Sequence, residues 1–226
     1  MDRFDGVRAV MFDLDNTLIV RRLSLEKAAK YVMRFFFPDR EAEYPKLAAL
    51  FCECFISGYD RYPDCFERFK AETGMDESID FFRFARAWSF YYPFCTTRNP
   101  DVECVLELKK RGYDISILTN GPSVQQNAKI DVAGFRDWFS AVVVSDEIGV
   151  AKPDPEAFHI ALRKTGFSAA QTVYVGDYGK NDIAGARAAG MRTIWYGAYM
   201  TWDESIERAD AEITALPQLL DLLPGV

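Results

Sequence analysis

Two aspartates separated by one residue stand at the end of a short apolar run near the start of the chain. The run Ala-Val-Met-Phe at residues 9–12 precedes the segment Asp-Leu-Asp-Asn-Thr at residues 13–17. Such a run is typical of a short strand in a parallel sheet that is covered on both faces. Asp13 then lies at the strand's carboxyl end, where open α/β sheets bind their ligands. Because side chains alternate along a strand, Asp13 and Asp15 share a face or, if the chain already coils, converge on one pocket.

Two carboxylates this close together repel each other. The pair therefore favours a bound cation, or a proton that one of the two carboxyl groups keeps. A cation held between carboxylates at a strand end is a reasonable place to handle phosphate. A strand followed by an aspartate-rich turn, without any chemistry, is the alternative that this stretch alone leaves open.

Three further predicted strands, over residues 113–118, 141–144 and 172–175, are also followed by polar residues. A parallel sheet gathers the ends of such strands along one edge. Each motif by itself is common, but their joint occurrence in this order, each after an apolar strand, indicates one composite site. The residues in question are Thr119 and Asn120, then Lys152, then Asp177 and Asp182, the last opening a predicted helix over 182–189.

The elements that must position these residues fall into two sections. From residue 98 onward strands and helices alternate, which predicts a parallel sheet with right-handed crossovers. Residues 18–94 show four helical patterns and no convincing strand, which predicts a helical bundle inserted after the first strand. We expect the first helix of this bundle to start after Ser24. We also expect Asn99 to cap a later helix that has Pro100 at its first position.

The inserted section is rich in aromatic residues. Between Tyr31 and Phe94 lie 19 of the chain's 33 phenylalanine, tyrosine and tryptophan residues. Most of them recur at helical spacing, so we expect them to pack the core of the bundle and its contact with the main domain. In the alternative, one or two of them face a pocket and stack on a flat substrate group such as a base.

Bulk composition excludes several classes of protein. The chain has 226 residues, 49% of them hydrophobic and 27% charged, which is ordinary for a globular protein. A net charge of −7 argues against nucleic acid or an anionic membrane as the main partner. No apolar stretch is long enough to span a membrane, and the first five residues do not resemble a signal peptide. Five cysteines without a regular framework suit a reducing compartment, so we expect a cytoplasmic protein.

Taken together, the motifs resemble those of the haloacid dehalogenase (HAD) superfamily, in particular its phosphatases with a helical cap after the first strand. The matching pieces are Asp-Leu-Asp-Asn-Thr at 13–17, Thr-Asn-Gly at 119–121, Lys-Pro at 152–153 and the segment from Gly176 to Asp182. The resemblance implies an α/β fold, with a Rossmann-like parallel sheet core and an inserted α-helical cap domain. The expected boundaries are residues 1–17 and 96–226 for the catalytic core and 18–95 for the cap.

The resemblance also implies a metal site and a nucleophile. Asp13 would attack phosphorus and form an aspartyl-phosphate. Mg²⁺ would be held by Asp13, the backbone carbonyl of Asp15 and Asp177. Asp182 would lie behind this set and orient Asp177, a metal-bound water or Lys152.

The remaining roles concern the phosphoryl group and the proton. Lys152 would place a positive charge on the transferring group, while Thr119 and Asn120 would hold phosphoryl oxygens. Asp15 would protonate the leaving oxygen and later deprotonate the attacking water. Members of the superfamily that cleave carbon–halogen bonds typically lack an acid at the position of Asp15, so this residue favours phosphoester hydrolysis.

The expected function is therefore a Mg²⁺-dependent phosphatase for a small phosphorylated metabolite, working as a monomer or homodimer. A sugar or sugar-acid phosphate and a nucleoside 5′-monophosphate are equally plausible substrates. The alternatives are a phosphomutase, a haloacid dehalogenase-type hydrolase and a non-catalytic binding protein on the same fold. Cap residues would set the specificity, and the sequence does not identify them.

Overall fold

The computed structural model describes residues 4–56 and 61–226. The chain forms two compact units. The first, which we call the sheet unit, comprises Met1–Ile19 and Arg98–Val226; the second, the helical unit, comprises Val20–Thr97. No helix in the described part of the chain is both long and apolar enough to cross a bilayer.

A six-stranded parallel sheet forms the centre of the sheet unit. The spatial order of its strands is β3-β2-β1-β4-β5-β6, and every neighbouring pair is parallel. The prediction of an α/β fold with a parallel sheet is thus confirmed. The strands are β1 (Ala9–Phe12), β2 (Asp114–Thr119), β3 (Ala141–Val144), β4 (Thr172–Gly176), β5 (Arg192–Tyr196) and β6 (Ala211–Ile213).

The central strand β1 is buried on both faces because it is apolar at every position. Val10 and Phe12 pack into a cluster on one side of the sheet, and Met11 packs into a cluster on the other side. This alternation follows from the two-residue period of a strand. The fully apolar run therefore reports a covered parallel sheet, as the sequence predicts.

Most helices of the sheet unit lie between successive strands, and the last one follows β6. They are α5 (Cys104–Lys110), α6 (Ser123–Val132), α7 (Ser145–Ile148), α8 (Pro155–Thr165), α9 (Ala184–Ala188) and α10 (Leu219–Leu222). Short 3₁₀ turns cover Ala169–Gln171 and Leu216–Gln218, and a π-helical turn covers Gly179–Ile183.

The helical unit contains four longer helices and two 3₁₀ turns within its described residues. The helices are α1 (Arg21–Phe36), α2 (Tyr44–Phe55), α3 (Tyr62–Thr73) and α4 (Phe81–Tyr91), and the turns are Glu41–Glu43 and Pro93–Cys95. Aromatic rings dominate the core of this unit. Phe51, for example, is fully buried and contacts Phe69, Phe84 and Trp88 edge-on or tilted. Most of the aromatic residues described in this unit thus pack in or against its own core.

Two helix starts differ from the expectation. Helix α1 begins at Arg21, and Ser24 lies inside its first turn, where its hydroxyl donates to the Val20 carbonyl. Asn99 does not begin a helix, because residues 100–103 form turns and α5 starts only at Cys104. The Asn99 side-chain oxygen still accepts from the Asp101 N–H at the start of these turns, while its amide nitrogen donates to the Thr17 carbonyl and the Tyr196 hydroxyl. In both cases a polar side chain that commonly caps a helix is used to join separate segments.

The helix expected over 182–189 is also shorter and less regular. Its first part is the π-helical turn over Gly179–Ile183, and regular α-helix is confined to Ala184–Ala188. Asp182 accordingly lies in the wide turn, with its backbone N–H donating to the Tyr178 carbonyl. Single π turns of this kind occur frequently at functional sites.

Candidate active site

Adjacent strands bring the predicted residues to one edge of the sheet. Strand β1 pairs with β2 on one side and with β4 on the other, in matched register. Asp13 directly follows β1, and its backbone N–H still donates to the Val175 carbonyl of β4. Thr119 is the last residue of β2, and Asp177 directly follows β4. The topology therefore places these three residues side by side at the carboxyl ends of the strands.

Three carboxylates form a buried group at this edge. Asp13, Asp177 and Asp182 each offer an oxygen that lies within 4.8 Å of the oxygens offered by the others. All three side chains are shielded from solvent. Oxygen donors in such a cluster suit a hard divalent cation.

Lys152 is the cation inside this group. Its ammonium lies 2.6 Å from Asp13 Oδ1, 2.7 Å from Asp182 Oδ1 and 2.8 Å from the Tyr174 hydroxyl. These three contacts use all three hydrogens of the ammonium group. The Tyr174 hydroxyl in turn donates to the Leu118 carbonyl, 2.9 Å away. Lys152 is thus held in one position although its loop lies between β3 and α8.

Asn120 fixes the backbone of that loop. Its side-chain amide donates to the Lys152 carbonyl, and its side-chain oxygen accepts from the Lys152 N–H, both at 2.9 Å. This reciprocal pair joins the end of β2 to the lysine loop. The side chain of Asn120 therefore positions Lys152, a task that the sequence did not indicate.

Asp182 has both oxygens engaged. Oδ1 contacts the Lys152 ammonium, and Oδ2 accepts from the Tyr178 N–H at 2.9 Å. Its carboxylate packs directly against Gly176, where an added Cβ would lie 2.5 Å from the Asp182 carboxyl carbon. Only glycine allows this approach, which explains the Gly-Asp pair at the end of β4.

Asp177 differs from the other two acids because its carboxylate has no hydrogen bond to any residue that the structure describes. Both oxygens are buried without a donor at bonding geometry in the described chain. The Asn16 side chain lies near enough to lower the pKa of Asp177. Burial, followed by the charges of Asp182 and Asp13, raises this pKa well above its ordinary value. A buried carboxylate without a partner is costly, so the site calls for a cation or a proton.

The charge balance of the cluster leads to the same conclusion. Burial raises the pKa of Asp13 to about 7, against the opposing charge of Lys152 and with the help of Asp182. Burial lowers the pKa of Lys152, but the Asp13 and Asp182 carboxylates outweigh this and hold it above its usual value. Three acids therefore share one ammonium, and a divalent cation would neutralise the excess negative charge. The donor set fits Mg²⁺.

The side chain of Asp15 lies outside this carboxylate group. The chain turns sharply after Asp15, because Asn16 adopts a left-handed conformation with a φ of 58°. The Asp15 carboxylate contacts Lys129 Nζ at 3.0 and 2.9 Å and Gln126 Nε2 at 3.1 Å. Of the two arrangements left open by the sequence, the chain coils after Asp13, and the two carboxylates have different partners.

Gln126 and Lys129 were missed by sequence reasoning. Both lie on α6 three residues apart and are buried, which is unusual for a lysine. Polar side chains at this spacing share one helix face. The available signal was a glutamine and a lysine on one face of the helix that follows the Thr-Asn-Gly motif. Either residue alone is typical of a solvent-exposed helix position.

Comparison with known proteins identifies the family of the chain. The family model described as haloacid dehalogenase-like hydrolase matches residues 7–190. The chain belongs to this family. HAD membership confirms the resemblance drawn from the motifs and makes the protein a hydrolase by family.

Proteins with sequences similar to this chain are named as phosphatases. Glyceraldehyde 3-phosphate phosphatase of Pyrococcus furiosus is 32% identical over 230 residues, covering 96% of this chain and 93% of that protein. Ribulose-1,5-bisphosphate 5-phosphatase of Halopiger xanaduensis is 31% identical over 238 residues, covering 95% and 98%.

Solved structures of HAD proteins share the architecture. A HAD phosphatase from Thermococcus onnurineus has a TM-score of 0.65 at 25% identity, covering 97% of this chain and 99% of that one. A HAD hydrolase of Bacillus subtilis has a TM-score of 0.74 at 23% identity, covering 96% and 98%, which supports the fold alone.

Proposed function

We propose that the protein is a Mg²⁺-dependent phosphatase that hydrolyses a small phosphorylated metabolite through an aspartyl-phosphate on Asp13. The observation that carries this proposal is the buried group of Asp13, Asp177 and Asp182 around Lys152, in which Asp177 has no hydrogen bond to a described residue. The phosphatase names of the HAD relatives give independent support.

The metal ligands in this proposal are the carboxylates of Asp13 and Asp177 and the backbone carbonyl of Asp15. When bound, Mg²⁺ would neutralise negative charge on the phosphoryl oxygens and on the attacking carboxylate. Asp182 is assigned to orientation, because both of its oxygens already hold Lys152 and the Tyr178 N–H.

The reaction takes two displacements at phosphorus. A carboxylate oxygen of Asp13 attacks phosphorus, and the bond from phosphorus to the leaving oxygen breaks. Asp15, which takes up a proton when the anionic substrate binds beside it, gives that proton to the leaving oxygen. Asp15 then takes a proton from water, whose oxygen attacks phosphorus and releases inorganic phosphate. Asp13 returns as a carboxylate at the end of the second step.

The groups around Asp13 hold the phosphoryl group during both steps. Lys152 supplies fixed positive charge beside the nucleophile, since its ammonium already contacts Asp13 at 2.6 Å. The Thr119 hydroxyl is assigned to a phosphoryl oxygen, and Asn120 acts through the Lys152 loop that it holds. The helical unit is assigned to the cap that covers the substrate and sets specificity.

The substrate is proposed to be a sugar or sugar-acid phosphate or a nucleoside 5′-monophosphate. The first class is supported by the relatives named for triose and pentose phosphates. The second is supported by a pyrimidine 5′-nucleotidase of Escherichia coli, 36% identical over 104 residues, which cover 46% of this chain.

The test is phosphate release from a panel of phosphorylated sugars, sugar acids and nucleotides, with Mg²⁺ and with EDTA. Asp13→Asn should abolish turnover, while Asp221→Asn, an exposed aspartate of the same unit, should keep it. Metal-independent halide release from haloacids would support a dehalogenase instead, and isomerised sugar phosphate would indicate a mutase. Near-normal activity in Asp13→Asn would refute the mechanism.

A further inference from the structure

Helix α6 presents two buried polar side chains to the end of β1 and the end of β2. Lys129 is 2% exposed and Gln126 is 1% exposed. Neither belongs to the carboxylate group of Asp13, Asp177 and Asp182. A buried lysine loses much of its hydration, so its place in the fold needs a partner that restores the interaction.

That partner is the carboxylate of Asp15. The Lys129 ammonium contacts both Asp15 oxygens, at 3.0 and 2.9 Å. Contacts to both oxygens restrict rotation of the carboxylate about its own axis more than a single contact would. Lys129 therefore restrains where Asp15 points as well as supplying charge.

Gln126 connects Asp15 to Thr119. Its amide nitrogen donates to Asp15 Oδ2 at 3.1 Å and to the Thr119 hydroxyl oxygen at 2.6 Å. The nitrogen rather than the oxygen of the amide must face this way, because an ionised carboxylate only accepts hydrogen bonds. Since the Thr119 oxygen accepts here, its own hydrogen is directed elsewhere and can be donated to a ligand.

The turn before α6 makes room for this arrangement. Gly121 has a φ of +142°, and an added Cβ there would lie 3.1 Å from the side-chain carbons of Gln126. The glycine of the Thr-Asn-Gly motif thus lets Gln126 lie against the end of β2. The motif and the buried face of α6 form one local unit.

We propose that Lys129 and Gln126 are positioning residues that hold the proton-transferring Asp15 and the phosphoryl-binding Thr119 in fixed relative positions. The proposal rests on the proposed phosphatase function. Lys129 fixes the carboxylate that serves the leaving oxygen, and Gln126 sets the donor direction of the Thr119 hydroxyl. Misplacement of a catalytic group by about 1 Å can cost on the order of 10²-fold in rate.

The first experiment compares Lys129→Met, Lys129→Arg and Gln126→Met with an exposed control, Lys164→Met, on two substrates with Mg²⁺. One substrate is an alkyl phosphate with a basic leaving oxygen, and the other is p-nitrophenyl phosphate, whose leaving oxygen needs little protonation. Lys129→Met should lower kcat for the alkyl phosphate about 10²-fold and for the aryl phosphate much less. Lys129→Arg should recover part of the loss, and Lys164→Met should match the wild type.

Gln126→Met removes the group that orients the Thr119 hydroxyl, so it should weaken the hold on the phosphoryl group. KM should therefore rise and kcat should fall for both substrates alike. A purely structural role for Lys129 would lower the rate with both substrates equally and would not be rescued by Lys129→Arg. A purely structural role for Gln126 would lower kcat with both substrates and leave KM unchanged, so an unchanged KM in Gln126→Met would overturn the assignment of Gln126. Equal losses on the two substrates in Lys129→Met would overturn the assignment of Lys129.

The second experiment is a double-mutant cycle between Lys129→Met and Asp15→Asn. If Lys129 acts through Asp15, Lys129→Met should cause no further loss of kcat once Asp15 is Asn. Independent, multiplicative losses would overturn the proposal. The free energy of unfolding is measured on the wild type, the two single variants and the double variant. This measurement requires no activity, so it detects the Lys129–Asp15 contact even if no phosphorylated substrate is hydrolysed. Coupling in unfolding without phosphatase activity would refute the proposed function and leave the contact standing; absence of coupling in both would refute the positioning role.

Discussion

Replacing Asp177 by Asn should stabilise the metal-free protein, which is the opposite of what most substitutions at a buried site do. The carboxylate has no hydrogen bond within the part of the chain that the structure describes. Its burial and the charges of Asp182 and Asp13 raise its pKa well above the ordinary value of 3.8. Folding at neutral pH therefore requires either burying the charge or taking up a proton. An amide of nearly the same shape carries no charge and avoids both costs.

The direction and size of this change in the free energy of unfolding follow from proton linkage. The folded-state pKa is raised, so Asp177 lowers stability as the pH rises above about 4, until the pH reaches the folded-state pKa. Taking up the proton costs at most about 1.4 kcal/mol per pH unit above 3.8, which sets a ceiling of about 5 kcal/mol at about pH 7.5. The advantage of Asp177→Asn should thus be small at about pH 4.5 and larger at about pH 7.5, within that ceiling.

The assay is denaturant unfolding of the wild type, Asp177→Asn and the exposed control Asp221→Asn in EDTA at both pH values, followed by the same series with Mg²⁺. Mg²⁺ should stabilise the wild type by mass action and should stabilise Asp177→Asn much less, because a ligand is missing. If Asp177→Asn is no more stable than the wild type in EDTA at about pH 7.5, the carboxylate is not an uncompensated buried charge. Equal Mg²⁺ stabilisation of both proteins would remove Asp177 from the proposed metal site.

Three further substitutions test the surrounding structure. Lys152→Met leaves the acids without their ammonium and should destabilise the metal-free protein by about 3–5 kcal/mol and abolish phosphate release; unchanged unfolding in EDTA would contradict this. Gly176→Ala brings a Cβ to 2.5 Å from the Asp182 carboxyl carbon and should cost about 1–3 kcal/mol with reduced turnover; a fully active, equally stable variant would show that the site yields easily. Phe51→Ala, in the aromatic core of the helical unit, should cost about 3–5 kcal/mol in thermal unfolding; a loss below about 1 kcal/mol would indicate a loosely packed core.

The strands were predictable because their signal is local. An apolar run such as residues 9–12 has few alternatives in an α/β chain, and β1 has the predicted bounds. Helix starts were less predictable, because Ser24 and Asn99 are common capping residues that also bond readily to distant backbone. In the structure the Ser24 hydroxyl accepts from the Thr97 N–H, and the Asn99 amide contacts Thr17 and Tyr196. Such contacts depend on segments that are remote in sequence.

The sequence by itself determined the fold class and the group of acids with one lysine. Strand ends in a parallel sheet meet at one edge, so the order of motifs was enough to bring Asp13, Lys152 and Asp177 together. The partners of each polar side chain were decided only by the tertiary structure. In the structure Asp15 pairs with Lys129, and Gln126 bonds to Thr119. The Asn120 side chain bonds to the backbone of Lys152. The physical reason is that hydrogen bonds act over about 3 Å, and which donor comes that close depends on helix packing that no local sequence pattern encodes.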